Sequence, residues 1–112
     1  MATAPQATLS YEIEKSKDDH SQQITTLILH GRLVSETSGQ LKEVIKPLIP
    51  EGGIIRLDLT DLNYMDSSGL GTLVGLKVSA LREGYCRLEL VNLSPRVADL
   101  LRLSNLSQLF SS

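Results

Sequence analysis

The chain has 112 residues, 41% hydrophobic and 21% charged, with a formal net charge of −2. That is the length of one ordinary domain with an average globular composition, able to bury an aliphatic core without a metal or a disulfide. The 11 basic residues are never adjacent in the sequence, which excludes the clustered Lys/Arg surface that nucleic acid or an anionic membrane demands.

Residues 1–7, small and polar with an early proline, read as a disordered tail, leaving 8–112 as a single domain. Leu9, Tyr11 and Ile13 alternate with polar residues, the period of a half-buried strand, and Lys15 to Gln22 is a polar connection. Ile24 to His30 is rich in leucine and β-branched residues and predicts a second strand, paired with the first as an antiparallel hairpin. Gly31 ends it. Ser35 or Thr37 then caps a helix running to about Ile49, with Leu41, Val44, Ile45 and Leu48 on one stripe; Pro47 loosens its last turn and Pro50 stops it.

Ile54 to Leu59 is a third strand, dense enough in apolar residues to lie centrally, and Thr60 to Asp66 is a loop. A second helix follows from about Ser67 to Glu83, with Leu70, Val74, Val78 and Leu81 as its buried face and Gly84 as its stop. Cys86 to Val91 alternates as a fourth strand. Ser94-Pro95, a capping residue before proline at the first helical position, starts a third helix that buries Val97, Leu100 and Leu101. Leu106 to Phe110 is a short strand or an irregular apolar tail. This order predicts a small α/β domain with a mixed sheet of four to five strands and helices packed against it, the later strands parallel through right-handed crossovers.

One segment stands out: Leu62-Asn63-Tyr64-Met65-Asp66-Ser67-Ser68-Gly69-Leu70-Gly71, between the third strand and the second helix. The C-terminal end of a strand feeding a helix N-terminus is where α/β domains place ligands and modifications, and its unpaired amides favour an anion. Two readings fit: Asp66 or Ser67 simply caps the helix, or the turn carries a negatively charged group. A nucleotide loop fails on spacing, because G-x-G-x-x-G would need glycine where Val74 stands. Gly71 and Gly75 instead let the helix lie close to the sheet or to a partner's backbone.

YMDSSGLGTLVGL, with IIRLDLTDL before it, HGRL after the second strand and LVNLSPRVADLLRLSNL near the end, resembles the STAS-domain anti-anti-sigma factors of bacteria. The resemblance covers nearly the whole chain. It implies a STAS-like fold and an anti-sigma factor antagonist that frees a sigma factor by binding an anti-sigma factor. That partner is implied to be a serine kinase using ATP, with Ser68 as its phosphoacceptor and a PP2C-type phosphatase as the reversing enzyme. The partner-binding surface so implied comprises Met65, Asp66, Ser67, Ser68, Gly69, Leu70 and Gly71, with Arg32, Ser35 and Glu36 from the turn after the second strand. The chain departs from the pattern at Val34, where an acid is expected and where Ser35 or Glu36 could substitute, and in stopping at Ser112, where relatives continue into a final strand and helix. The alternative is a non-switching STAS scaffold, serving as a stressosome component or an accessory subunit of a membrane transporter.

No catalytic set competes with this reading. His20 and His30 lack ligand-spaced companions and read as solvated or strand-end residues, and Asp58, Asp61 and Asp66 have neither base nor nucleophile beside them. The expectation is therefore no enzyme, no cofactor and no metal. A lone Cys86, read as buried and inert, excludes a disulfide framework and fits a reducing cytosol. The opening residues are not a signal peptide, and no apolar run approaches the roughly 20 residues that span a bilayer. A cytoplasmic monomer or weak dimer, with no direct nucleic-acid or membrane contact, is expected.

Overall fold

The computed structural model describes residues 8–84 and 86–110, so the expected tail at 1–7 lies outside the described residues. Four strands, β1 (Leu9–Lys17), β2 (Gln23–Leu33), β3 (Gly53–Met65) and β4 (Cys86–Val91), form one mixed sheet in the order β1-β2-β3-β4. β1 and β2 are the expected antiparallel hairpin, while β2 with β3 and β3 with β4 are parallel. The crossovers are α1 (Ser35–Ile45) with a 3-10 segment (Lys46–Glu51), and α2 (Ser67–Glu83). α3 (Pro95–Leu103) and the short α4 (Ser107–Phe110) follow.

The pleat divides the sheet by chemistry. Leu27 and Leu29 of β2, Ile55, Leu57 and Leu59 of β3 and Leu88 of β4 face the helices and are essentially sealed from solvent. They meet Leu41 and Ile45 of α1, Leu73, Leu76 and Ala80 of α2, and Val97 and Leu101 of α3 in one aliphatic cluster. The opposite face carries Glu12, His30, Arg56, Asp58 and Glu89, paired to one another or to neighbouring side chains and open to water.

Several expectations need correcting. β1 extends to Lys17 where a loop was expected, yet only Leu9 is buried; Tyr11 and Ile13 are 38% and 45% exposed because the helices reach β1 only at its start, where Gln40 Nε2 donates to the Leu9 carbonyl at 2.7 Å. The first helix ends at Ile45 and Pro47 turns its continuation into 3-10 geometry. α2 buries Leu70, Leu73, Leu76, Lys77 and Ala80, so Val78 and Leu81, expected inside, point outward at 43% and 61% exposure, and Val74 is half-buried. Lys77 is accommodated because its stem adds apolar volume and its Nζ donates to the Leu88 carbonyl of edge strand β4 at 2.8 Å; burial lowers its pKa. The segment near Phe110 is a helical turn, with no strand there.

Other expectations agree with the fold. Gly84 adopts the left-handed conformation that ends α2, at φ 77°. Ser94 caps α3, its Oγ accepting from the Val97 amide at 3.2 Å. Among the described residues, no helix is long and apolar enough to cross a membrane.

Candidate functional site

β2 does not end at Gly31, nor β3 at Leu59. Two irregularities in their pairing, between Ile28 and His30 and between Gly31 and Arg32, carry both strands on until Leu33 lies opposite Met65. The stretch Thr60 to Met65, expected as a loop, is therefore strand. Polar residues at Thr60, Asp61 and Asn63 suggested a loop, but they occupy the exposed positions of a bulged ladder. α2 begins two residues after that ladder, and its first turn has little freedom.

Asp66, half-buried, is the residue that caps α2. Its Oδ1 accepts from the Gly69 amide at 2.8 Å, its carbonyl accepts from the Leu70 amide at 2.9 Å, and its own amide donates to the Leu33 carbonyl at 3.3 Å. Gly69 is required by this contact: a Cβ there would stand 2.1 Å from the Leu33 oxygen and 2.9 Å from Met65 Cγ. Gly71 and Gly75 are different, since a Cβ on either meets nothing within 4 Å. Of the two roles considered for them, close approach to the sheet is thus excluded.

Ser67 and Ser68 lie exposed in the first turn. Their amides point out of the positive end of α2 with no acceptor inside the helix. The Ser68 carbonyl accepts from the Thr72 hydroxyl at 3.0 Å, while among the described residues nothing hydrogen-bonds the Ser68 hydroxyl itself. That hydroxyl borders an open groove of about 410 Å³ between the two crossover helices, whose opposite wall is Ser35, Ser38, Gly39 and Lys42 of α1.

α1 starts differently. Its cap position is Val34, against the expectation of Ser35 or Thr37, and a valine side chain accepts no hydrogen bond. Thr37 compensates from within: its Oγ1 accepts from the Val34 amide at 2.9 Å and donates to the Arg32 carbonyl at 2.8 Å. Val34 is buried at 7% exposure, so the position where an acid was expected is packed into the domain. Ser35 and Glu36 are exposed; Ser35 faces the groove, and Glu36 complements the helix dipole.

Apart from half-buried Asp66, the proposed contact residues divide into two sets. Arg32, Ser35, Glu36, Ser67, Ser68 and Gly71 are exposed, while Met65, Gly69 and Leu70 lie buried beneath them as support. Tyr64 lies in the segment that stands out in the sequence without being named there as a contact, and Arg96 is not singled out at all. The Arg32 and Arg96 guanidiniums lie over the Tyr64 ring, 5.2 and 5.8 Å from its centre. Three separate elements supply them, and no local spacing could have joined them.

His30 sits in mid-strand, away from the expected strand end. Its Nδ1 meets Asp61 Oδ2 at 2.5 Å and its Nε2 meets Glu12 Oε2 at 2.6 Å. Two carboxylates on the two ring nitrogens favour the doubly protonated ring, and the hydrogen bonds to Asp61 and then Glu12 raise the imidazole pKa. Among the described residues, no group of three His, Cys, Asp or Glu side chains is arranged to hold a metal ion. Cys86 is only half-buried, packed against the core, and burial raises its thiol pKa.

The sequence matches the STAS domain family over residues 15–112. It is 33% identical over 102 residues to the anti-sigma-B factor antagonist of Listeria monocytogenes, an alignment covering 90% of this chain and 85% of that protein. The fold is similar to that of the anti-sigma factor antagonist SpoIIAA in its unphosphorylated form, with a TM-score of 0.68 at 26% identity over 88% of this chain and 84% of that one. It is also similar to the phosphorylated form of SpoIIAA from Bacillus, with a TM-score of 0.64 at 25% identity over 88% and 86% of the two chains.

Proposed function

The chain belongs to the STAS-domain family, and from that premise we propose that it is an anti-sigma factor antagonist switched off by phosphorylation of Ser68. It acts in the cytoplasm by binding an anti-sigma factor that is also a serine kinase, thereby releasing a sigma factor, and a PP2C-type phosphatase restores it. Its relatives' names support the antagonist role. The observation that carries the switch is the Ser68 hydroxyl, exposed and unengaged among the described residues, on a first turn pinned by Asp66 and Gly69.

The physics of the switch is local. A phosphate on Ser68 brings about −1.5 to −2 charges into the contact surface. Towards the domain it meets the outward amides of α2 and a groove wall containing Lys42, which tolerate an anion. Towards a partner seated on Ser67, Ser68, Gly71 and the start of α1, it adds bulk and charge that must be desolvated. Val34 places no acid beside it, so Asp66 is the nearest carboxylate in sequence, and the partner's own groups decide how strong the repulsion becomes. The domain keeps its fold and loses its partner.

A kinase assay tests this directly. The protein is incubated with ATP and the anti-sigma factor of the same genome, and phosphate is located by mass spectrometry. Modification at Ser68 that vanishes in Ser68→Ala is the expected result; label that survives the substitution, or no label at all, refutes the switch.

A further inference from the structure

Arg32, Tyr64 and Arg96 meet although β2, β3 and α3 supply them separately. Both guanidiniums lie within cation–π range of one ring, and among the described residues no carboxylate pairs with either. Arg96 also stands in the first turn of α3, where the positive end of a helix disfavours a cation. Two cations on one aromatic ring, neither neutralised, leave a charge for something else to match.

Beside them runs an open groove of about 580 Å³, lined by Tyr64, Met65, Arg96, Asp99, Leu100 and Leu103. Leu103 is 75% exposed. The one acid on this wall, Asp99, is already paired with Arg102 Nη2 at 2.9 Å. The groove therefore offers one unneutralised guanidinium fork, Arg96, and a leucine floor.

We propose that this groove docks an acidic-apolar segment of the anti-sigma factor, a carboxylate seated on Arg96 and a large apolar side chain on Leu100 and Leu103. This rests on the antagonist reading and gives the interface a second arm. The charge complementarity is that of guanidinium forks for carboxylates. Small ligands are usually enclosed on most sides, whereas this site is open along its length, as a protein segment requires. Tyr64 and Met65 lead directly into Asp66-Ser67-Ser68, so one partner can cover both features.

Titration calorimetry of the full chain against the anti-sigma factor of the same genome tests it. The wild type is compared with Arg96→Glu, Leu103→Lys and Ser68→Asp. Arg96 and Leu103 are exposed, and unfolding curves confirm that their variants fold. Arg96→Glu is expected to weaken binding about a hundredfold and Leu103→Lys about tenfold, with Arg96→Lys intermediate. If Ser68→Asp loses binding while both groove variants bind as wild type, the groove proposal falls and the switch stands. If the groove variants lose binding while Ser68→Asp does not, the groove stands and the switch falls. A wild type that does not bind overturns both.

Discussion

Two parallel strands end side by side at Leu33 and Met65, and each turns into a helix, yet the two junctions are built in different ways. At β3–α2 a charged cap, a buried glycine and a backbone bond to Leu33 fix the first turn and leave Ser68 uncovered. At β2–α1 the cap position is a buried valine, and the hydrogen bonding comes from Thr37 inside the helix. The first junction presents a hydroxyl to solvent. The second supplies the wall opposite, with Lys42 and Ser35, and no acid is among the residues lining the groove between them. Adjacent positions in one sheet can thus be built separately, one exposing a hydroxyl and one supplying the wall opposite it.

The largest expected effect breaks the first junction. Gly69→Ala drives a methyl group into the Leu33 carbonyl and should cost about 2–4 kcal/mol by denaturant unfolding. Gly71→Ala, which meets nothing, should instead stabilise by up to about 1 kcal/mol through helix propensity. Equal effects of the two substitutions would remove the distinction between a packed and a free glycine.

Next come the two caps. Thr37→Val strands the buried Val34 amide and removes the bond to the Arg32 carbonyl, an expected loss of about 1–3 kcal/mol. Asp66→Ala removes a half-buried side-chain cap on the Gly69 amide and leaves the backbone bonds of the junction in place, an expected loss of about 1 kcal/mol. Should Asp66→Ala prove the costlier in unfolding experiments, the first junction would depend on its cap more than on its backbone contacts.

These contrasts also show what could be read in advance. Alternation placed β1 and β4, apolar and β-branched density placed β2 and β3, and Ser94-Pro95 and Gly84 placed helix ends, because those signals are local. The α2 face was misjudged because that helix is apolar on more than one side: Leu70-Val74-Val78-Leu81 and Leu70-Leu73-Leu76-Ala80 are both plausible stripes. Only packing against β2, β3 and β4 selects the second. The extended ends of β2 and β3 were missed for a related reason. Their polar residues face solvent, and the bulges that carry the ladder to Met65 arise from pairing across the sheet. Ser68 was proposed from its motif, while the Arg32–Tyr64–Arg96 and Glu12–His30–Asp61 clusters depend on long-range pairing.

The smallest effect lies on the open sheet face, away from both junctions. The folded pKa of His30 is raised above 6.5, so its contribution to stability is complete below that value and fades as pH rises through the raised one. The groups facing it are Glu12 from β1 and Asp61 and Asp58 from β3. The thermal midpoint followed from about pH 6 to 9 should fall slightly in the wild type and lose that component in His30→Gln. A difference between the two proteins that grows with pH would contradict the assignment.

The central claim is that Ser68 controls binding without controlling the fold. Its most direct test is one paired measurement on Ser68→Asp, affinity for the anti-sigma factor and free energy of unfolding. The account predicts a loss of affinity above about a hundredfold, near 3 kcal/mol, with stability unchanged within about 0.5 kcal/mol. Full binding by Ser68→Asp, or a loss of binding matched by a loss of stability, would contradict it.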